Sequence, residues 1–142
     1  MSKKETSTID FGTFDLAAEA AKGIDVVMID ERTKQPFIGS DGKEIVITIQ
    51  GMDSDKWQDT AKKIGERNTA KYKSRGVPGD VVEDNLREVL ATVTLHWSNN
   101  IPFGGETLTC TYDNCLKLYK MPNAFAEQLI AAGTTRASLK KA

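Results

Sequence analysis

Two runs of β-branched residues mark the N-terminal third of the chain, IDVVMID at residues 24–30 and KEIVITIQ at residues 43–50. The connecting segment contains the Asp41-Gly42 dipeptide, which is typical of tight turns. In the second run three isoleucines alternate with other residues and share one face of a strand: Ile45, Ile47 and Ile49. The pattern predicts a hairpin whose isoleucine face lies under helices, because an isolated hairpin is only marginally stable.

The residues that follow the predicted hairpin have apolar positions at helical spacing. Asp53 or Ser54 is suited to cap a helix that extends to Arg75, with Asp55 in its first turn. One stripe of this helix carries Trp57, Ala61, Ile64, Asn68 and Tyr72. Because only the tryptophan and the isoleucine of that stripe are strongly apolar, we expect the helix to be weakly anchored to the core.

The next helix has the most regular apolar face in the sequence. Asp80 and Glu83 have the spacing of a capping box at its start. The apolar positions then recur at helical spacing: Val82, Leu86, Val89, Leu90, Val93 and Trp97. The pattern predicts one continuous helix as far as the tryptophan.

Shorter helices are predicted at the two ends of the chain. Residues 14–22 are rich in helix formers and are followed by Gly23. Near the C-terminus, Thr111 is a suitable N-cap for one helix and Pro122 a suitable first residue for another, which ends at Gly133. The sequence therefore predicts an α+β protein: a mostly helical single domain over residues 14–133 with a small N-terminal β-hairpin, an N-terminal arm at 1–13 and a C-terminal tail at 134–142.

Composition and hydropathy narrow the class of protein. A chain of 142 residues with 39% hydrophobic content can form one ordinary core. Its apolar runs are far shorter than the roughly 20 residues of a membrane-spanning helix, and its N-terminus lacks the apolar stretch of a secretory signal. We expect no membrane span and synthesis in the cytoplasm.

Charge is unevenly distributed although the net charge is −1. Residues 1–60 carry 12 acids and 7 bases, whereas residues 61–79 carry one acid and six bases. We call these six the basic belt: Lys62, Lys63, Arg67, Lys71, Lys73 and Arg75. A solvated helix face is the ordinary interpretation. Nucleic-acid binding is the less favoured one, since the net charge is not basic, and an acidic surface of a second copy is another candidate partner.

Candidate catalytic and metal-binding residues are few. Cys110 and Cys115 lack further Cys or His neighbours for a tetrahedral site, and their spacing is not that of a CxxC redox pair. We interpret them as small packing residues. His96, the only histidine, is predicted to lie at a helix end near the dipole. GSDGKE lacks the residues of a phosphate loop and is predicted to be a turn. The sequence predicts no catalytic residue, no metal site, no cofactor and no enzymatic activity.

Several segments together suggest a family. They are FGTFDLAAEAAKGIDVVMIDERTKQPF at 11–37, GKEIVITIQGMDSDKW at 42–57, Trp97 followed by Gly104 and Gly105, and LTCTYDN at 108–114 with NAFAEQLIAAG at 123–133. Their order resembles the tail assembly chaperone type proteins of long-tailed bacteriophages. The resemblance covers most of the chain and rests on spaced apolar and turn residues.

The resemblance implies a non-enzymatic protein that oligomerises in the host cytoplasm, binds the tape measure protein and recruits tail tube protein. Such a chaperone needs exposed apolar surfaces for its client. The candidate partner-binding residues lie on the weakly anchored helix and on the terminal helix: Trp57, Ile64, Lys71, Tyr72, Phe125, Leu129 and Ile130. For the terminal helix, ordinary core packing is the favoured alternative. The rival functions are a permanent virion subunit of the tail or head-tail joining region and a small nucleic-acid-binding protein that uses the basic belt.

Overall fold

A computed structural model describes residues 10–139 of the chain. Within that range the chain forms a mixed α and β architecture of five α-helices and small antiparallel sheets. The helices are α1 Leu16–Ala21, α2 Asp55–Tyr72, α3 Gly79–Val93, α4 Tyr112–Lys120 and α5 Phe125–Gly133. The strands are β1 Ile24–Val27, β2 Ile29–Asp30, β3 Gln35–Pro36, β4 Val46–Ile49, β5 Thr94–Trp97, β6 Pro102–Phe103 and β7 Glu106–Thr107.

The predicted hairpin is confirmed. Strands β1 and β4 pair antiparallel, with Ile24 opposite Ile49 and Val27 opposite Val46. The predicted isoleucine face is buried, as the alternation of residues predicts: Ile47 and Ile49 within β4, and Ile45 directly before it. The connection between the two strands contains a second, smaller hairpin, β2–β3, and GSDGKE forms the turn that follows it.

The prediction of one continuous helix through Trp97 is wrong at its C-terminal end. Helix α3 stops at Val93, and the next four residues form β5, which pairs with β4 as the third strand of the sheet. Trp97 lies opposite Ile47 and is buried, so the sheet and not the helix brings it to the core. His96 consequently lies on an exposed strand position, which corrects the prediction that it interacts with a helix dipole.

Some of the predicted helix caps are present in the structure and one is not. Ser54 and Thr111 cap α2 and α4 by accepting backbone hydrogen bonds, as predicted. Asp80, in contrast, lies inside α3, which begins at Gly79, and it makes no capping hydrogen bond. The carbonyl of Pro78 accepts the N–H groups of the first turn instead, so the predicted capping box does not form.

The start of α5 also differs from the prediction. Pro122 lies three residues before the helix, in the turn that follows α4. The Oδ1 atom of Asn123 accepts the N–H of Phe125 at 2.9 Å and supplies the first hydrogen bond of the helix end. Ala124, directly before the helix, has a left-handed backbone conformation with φ 63°, which this turn requires. A proline at the first helical position would not produce a left-handed residue there.

A hydrophobic cluster joins the sheet to α2, α3, α4 and α5. Helix α2 contributes one buried residue to it, Ile64, in agreement with the predicted weak anchoring. A surface network adds a second attachment, because Arg67 donates to both carboxylate oxygens of Glu88 on α3, at 3.2 and 2.9 Å, and to Asn85.

The predicted arm and tail fall partly outside the described residues, which begin at 10 and end at 139. Residues 10–13 form a turn before α1. Within the predicted tail, Arg136 forms a bidentate ion pair with Asp53, with nitrogen-to-oxygen distances of 2.8 and 2.9 Å. The residues just after α5 therefore attach to the start of α2, and this hydrogen-bonded guanidinium lowers the pKa of Asp53.

Candidate interaction surface

Two adjoining depressions lie at the corner between α4 and α5. The first has a volume of about 550 Å³ and runs between α3 and that corner, where Leu86 and Ile130 contribute apolar surface. The second has a volume of about 340 Å³ and is lined largely by apolar side chains, including Phe37, Ile38 and Phe103. Because Met121 and Pro122 line both, we call the pair the Met121 groove.

The local sequence explains why this corner is open. Helix α4 ends as Met121 takes up an extended conformation, and Pro122 cannot continue a helix. The Asn123 amide donates to the carbonyl of Leu118 at 3.2 Å while its oxygen accepts from Phe125. This side chain ties the end of α4 to the start of α5 and leaves the Met121 side chain 48% exposed at the surface.

Exposed apolar side chains surround the groove. Ile38 is 57% exposed, and Leu86 on α3 is 42% exposed. Beneath them the rings of Phe37 and Phe125 contact one another, with centroids 5.6 Å apart. The groove therefore has an apolar base and an apolar rim, a combination that is typical of a protein contact surface.

Charges of both signs border the α3 side of the groove. Arg87 pairs with Asp84 at 3.0 Å and lies 3.8 Å from Glu83 on the same helix. Lys120 and Glu127 line the opposite wall. Because the bordering charges are balanced, the groove is suited to an apolar helix with a mixed polar face and shows no preference for a polyanion.

The terminal-helix candidates separate into two groups. Phe125 and Leu129 are 5% and 0% exposed and belong to the hydrophobic cluster. This burial favours the core-packing alternative for both residues. It corrects the hypothesis of an exposed surface for Leu129, whereas Phe125 also lines the base of the Met121 groove. Ile130 is half-buried and lines the Met121 groove, so it remains a candidate contact residue.

The α2 candidates do not meet the groove, since none of them lines it. Ile64 is buried in the core. Trp57 is half-buried, and a Cβ atom added to Gly133 would lie 2.8 Å from its Cζ3 atom. The indole ring therefore lies directly on the backbone at the end of α5 and joins α2 to that helix.

Trp57→Ala is expected to destabilise the fold by about 2 kcal/mol, because it removes a large part-buried ring from the contact between α2 and Gly133. Urea denaturation followed by circular dichroism measures the change. Tyr112→Ala is the matched control, since this tyrosine is 46% exposed, and should change stability by about 0.5 kcal/mol or less. Equal stabilities of the two variants would contradict the packing role of Trp57.

The basic belt does not form one continuous free surface. Arg67 is occupied by Glu88, and the Arg75 guanidinium donates to the carbonyls of Lys71 and Tyr72 at the C-terminal end of α2, the helix that precedes it. The Nζ atom of Lys71 lies 5.4 Å from the centroid of the Tyr72 ring. Three of the six cations are thus engaged in intramolecular contacts, which reduces the charge available for a polyanion.

Cys115 lies in the core, and Cys110 is partly buried and packs against it. Cys115 is 1% exposed, and its burial raises the pKa of the thiol to about 12. Burial also raises the pKa of Cys110, which hydrogen-bonds to Cys115. Thiols of this kind are unreactive as nucleophiles. Within residues 10–139, no group of three or more His, Cys, Asp or Glu side chains has the arrangement of a metal site.

The sequence pattern does not identify Ile38, Met121 or Leu86 as exposed groove residues. It places Leu86 on the apolar face of the predicted helix, and this residue does lie on α3, but its side chain is exposed. The available signal was weak: a methionine and a proline immediately after a helix. The groove forms only when the segments that contain Ile38, Leu86 and Met121 are brought together by the fold.

Comparisons of the chain with protein-family models, with curated proteins and with solved structures found no match. In the described part of the chain, none of the helices has both the length and the apolar character needed to cross a bilayer.

Proposed function

We propose that the protein is a non-enzymatic tail assembly chaperone of a long-tailed bacteriophage. In this proposal it acts in the host cytoplasm, oligomerises, covers apolar helices of the tape measure protein and recruits tail tube subunits. The single domain predicted over residues 14–133 carries the function. The observation that supports the proposal most directly is the Met121 groove, because it exposes apolar side chains from three separate parts of the chain.

A helix is the occupant that suits this groove. An α-helix with its side chains is about 10–12 Å across, and an amphipathic helix presents its apolar residues as one narrow stripe. Such a stripe can contact Leu86, Met121 and Ile38 in succession while its polar face meets the charges of both signs that border the α3 side of the groove. An open groove with few directional polar groups favours weak and exchangeable contacts, which a temporary cover for a client requires.

The direct experiment measures binding of a fluorescent amphipathic peptide from the tape measure protein of the same phage. Fluorescence anisotropy should show saturable binding, and Ile38→Asp and Met121→Asp should each weaken it by about tenfold or more, because a charge would be buried against apolar surface. Leu95→Asp is the matched control: Leu95 is 39% exposed but lies on β5, outside the groove, and should leave the affinity unchanged. A scrambled peptide without helical apolar spacing should bind weakly.

Equal binding by the scrambled peptide, or equal losses in the groove and control variants, would contradict the proposal. Circular dichroism of each variant shows that a lost affinity does not reflect unfolding. Because both groove substitutions are at exposed positions, we expect stability changes of about 0.5 kcal/mol.

Quantitative mass spectrometry of purified virions separates the chaperone from the permanent virion subunit. A chaperone should be abundant in infected cells and missing from particles, whereas a structural subunit should be retained in a fixed copy number. Retention would replace the proposed function with the subunit alternative. Nucleic-acid binding has less support, because Arg67 and Arg75 of the basic belt are held by intramolecular hydrogen bonds.

A further inference from the structure

Two exposed glutamates lie beside the apolar half of the Met121 groove. Ile38, which lines that half, is opposite Glu44 in an antiparallel bridge. Phe103, which also lines it, is opposite Glu106 in the β6–β7 hairpin. Directly opposite residues of an antiparallel pair have side chains on the same face, with Cβ atoms about 4.5–5.5 Å apart. Each glutamate side chain therefore leaves the backbone beside the apolar depression, and we call Glu44 and Glu106 the acidic border.

The fold fixes the backbone of both glutamates. The β6–β7 hairpin turns through Gly104 and Gly105, whose φ angles of 61° and 87° are both positive, as a tight two-residue hairpin turn requires. The carbonyl of Glu44 accepts a hydrogen bond at 3.2 Å from the side-chain amide of the buried Asn100. Because both positions are ordered in the folded chain, a partner would have to order only the glutamate side chains.

The acidic border is available for a partner. Both glutamates are exposed, and neither takes part in an ion pair within residues 10–139. Lys43, which precedes Glu44, forms no ion pair with either of them. The lining of the apolar half has no charged side chain among the described residues, whereas charges of both signs border the α3 side. The groove therefore has one electrostatically balanced side and one acidic side.

We infer that the occupant of the Met121 groove is an amphipathic helix with lysine or arginine side chains flanking its apolar stripe. The long aliphatic stem of such a side chain can lie along the apolar surface near Ile38 and Phe103 while its charged end reaches Glu44 or Glu106. A helix with acidic flanks would instead bring like charges together at the same place. The inference rests on the proposed function, because it specifies the chemistry of the helix that the groove is proposed to bind.

The border is expected to determine selectivity more than affinity. Apolar contact along the groove provides most of the attraction, since an exposed ion pair changes an affinity by only about two- to fivefold. Two such pairs together favour a basic flank over a neutral one by about tenfold, and an acidic flank is disfavoured. Because these charges are exposed, salt should reduce the preference.

The test uses three model peptides with the same leucine stripe at helical spacing. Lysine, glutamine or glutamate occupies the positions that flank the stripe, and these three residues have similar helix propensities. Fluorescence anisotropy with the full chain at about 0.01 M ionic strength should show that the lysine peptide binds about tenfold more tightly than the glutamine peptide. The glutamate peptide should bind most weakly. The differences should shrink at about 0.15 M ionic strength, where the Debye length falls from about 30 Å to about 8 Å.

Two pairs of substitutions assign the preference to the acidic border. Glu44→Gln with Glu106→Gln should bring the lysine peptide to the affinity of the glutamine peptide, and Glu44→Lys with Glu106→Lys should reverse the order of the three peptides. The matched control is Asp59→Lys with Glu66→Lys. These two residues are exposed on α2 outside the groove, so the control has the same change in net charge and should keep the original order. Circular dichroism shows that each variant is folded.

Several results would overturn the inference. They are equal binding of the lysine and glutamine peptides, an unchanged order in the Glu44→Lys, Glu106→Lys protein, and a reversed order in the α2 control. Sedimentation velocity of the full chain tests a different occupant. Self-association that Met121→Asp abolishes would assign the groove to a second copy of the chain and would likewise overturn the inference.

The peptides also separate this inference from the proposed function. If only the proposed function is wrong, the lysine peptide binds selectively although the tape measure peptide does not bind. If only the inference is wrong, the tape measure peptide binds with an affinity that neither salt nor the Glu44→Lys, Glu106→Lys substitutions change. If both are right, the tape measure peptide binds, and both salt and these substitutions weaken its binding.

Discussion

Leu129→Ala is expected to destabilise the protein by about 2–5 kcal/mol, because the side chain is completely buried and its loss leaves a cavity between α5 and the sheet. Urea denaturation of the two proteins at equal concentration measures the difference. The substitution separates the two interpretations of the terminal helix, since a partner-binding leucine would contribute to affinity and little to folding.

Ile130→Ala is the matched comparison, one residue further along the same helix. Ile130 is half-buried and lines the Met121 groove, so its truncation should cost less stability than that of Leu129. It should also weaken peptide binding in protein that is fully folded. A Leu129→Ala variant with unchanged stability and reduced peptide binding would contradict the assignment of this side chain to the core.

Local patterns predicted the parts of the fold that local physics determines. The alternating isoleucines of β4 identify a strand face, and Ser54 and Thr111 are caps because a side-chain oxygen next to a helix start can accept its free N–H groups. These features depend on residues within a few positions of one another, and one sequence is enough to recognise them.

At the end of α3, local residue spacing predicts the wrong secondary structure. Val93 and Trp97 are four residues apart, a spacing that fits the face of a helix. In the fold Trp97 reaches the core from a strand, because β5 pairs with β4 and places the indole opposite Ile47. The indole N–H donates to the carbonyl of Leu108 at 3.1 Å. Pairing with a distant strand decides the conformation here, and the local period does not reveal it.

The Met121 groove was less predictable from the sequence than the strand face and the helix caps, because segments distant in sequence form it. Ile38, Leu86 and Met121 belong to three segments that are far apart in sequence, and no spacing rule relates them. The sequence pattern does not show which of Leu129 and Ile130 is a partner-binding residue, because both are apolar and adjacent in the terminal helix. Only the direction in which each side chain leaves the helix separates the core residue from the groove residue.

Asn100→Ala is expected to destabilise the fold by about 2–4 kcal/mol, because the substitution removes four hydrogen bonds of a completely buried side chain. Asn100 is completely buried, and its amide nitrogen donates to Oδ1 of Asp41 at 2.8 Å and to the carbonyls of Lys43 and Glu44 at 3.0 and 3.2 Å. Its Oδ1 atom accepts from the Ser98 hydroxyl at 2.6 Å. One side chain thus holds the turn before β4 against the segment that follows β5.

A second variant tests the same contact from the opposite side. A Cβ atom at Gly39 would overlap both the backbone and the side chain of Asn100, so Gly39→Ala should also be strongly destabilising. Gly65→Ala is the matched glycine control. No atom outside its helix lies within 4 Å of the added Cβ, and alanine in the interior of α2 should stabilise the protein by about 0.5–1 kcal/mol.

The titration of Asp41 gives an independent measurement of the network. The hydrogen bond from Asn100 is the largest cause that lowers the pKa of this carboxyl group, followed by the N–H of Lys43. A pKa lowered by folding contributes stability above the unfolded value of about 3.9, and that contribution is lost as the pH falls through the folded pKa. In Asn100→Ala, the Asp41 pKa should rise toward its ordinary value, measured by NMR of the side-chain carboxyl carbon in the folded protein. An unchanged pKa would show that the amide does not hold the carboxylate, and the stability loss would then need a different cause.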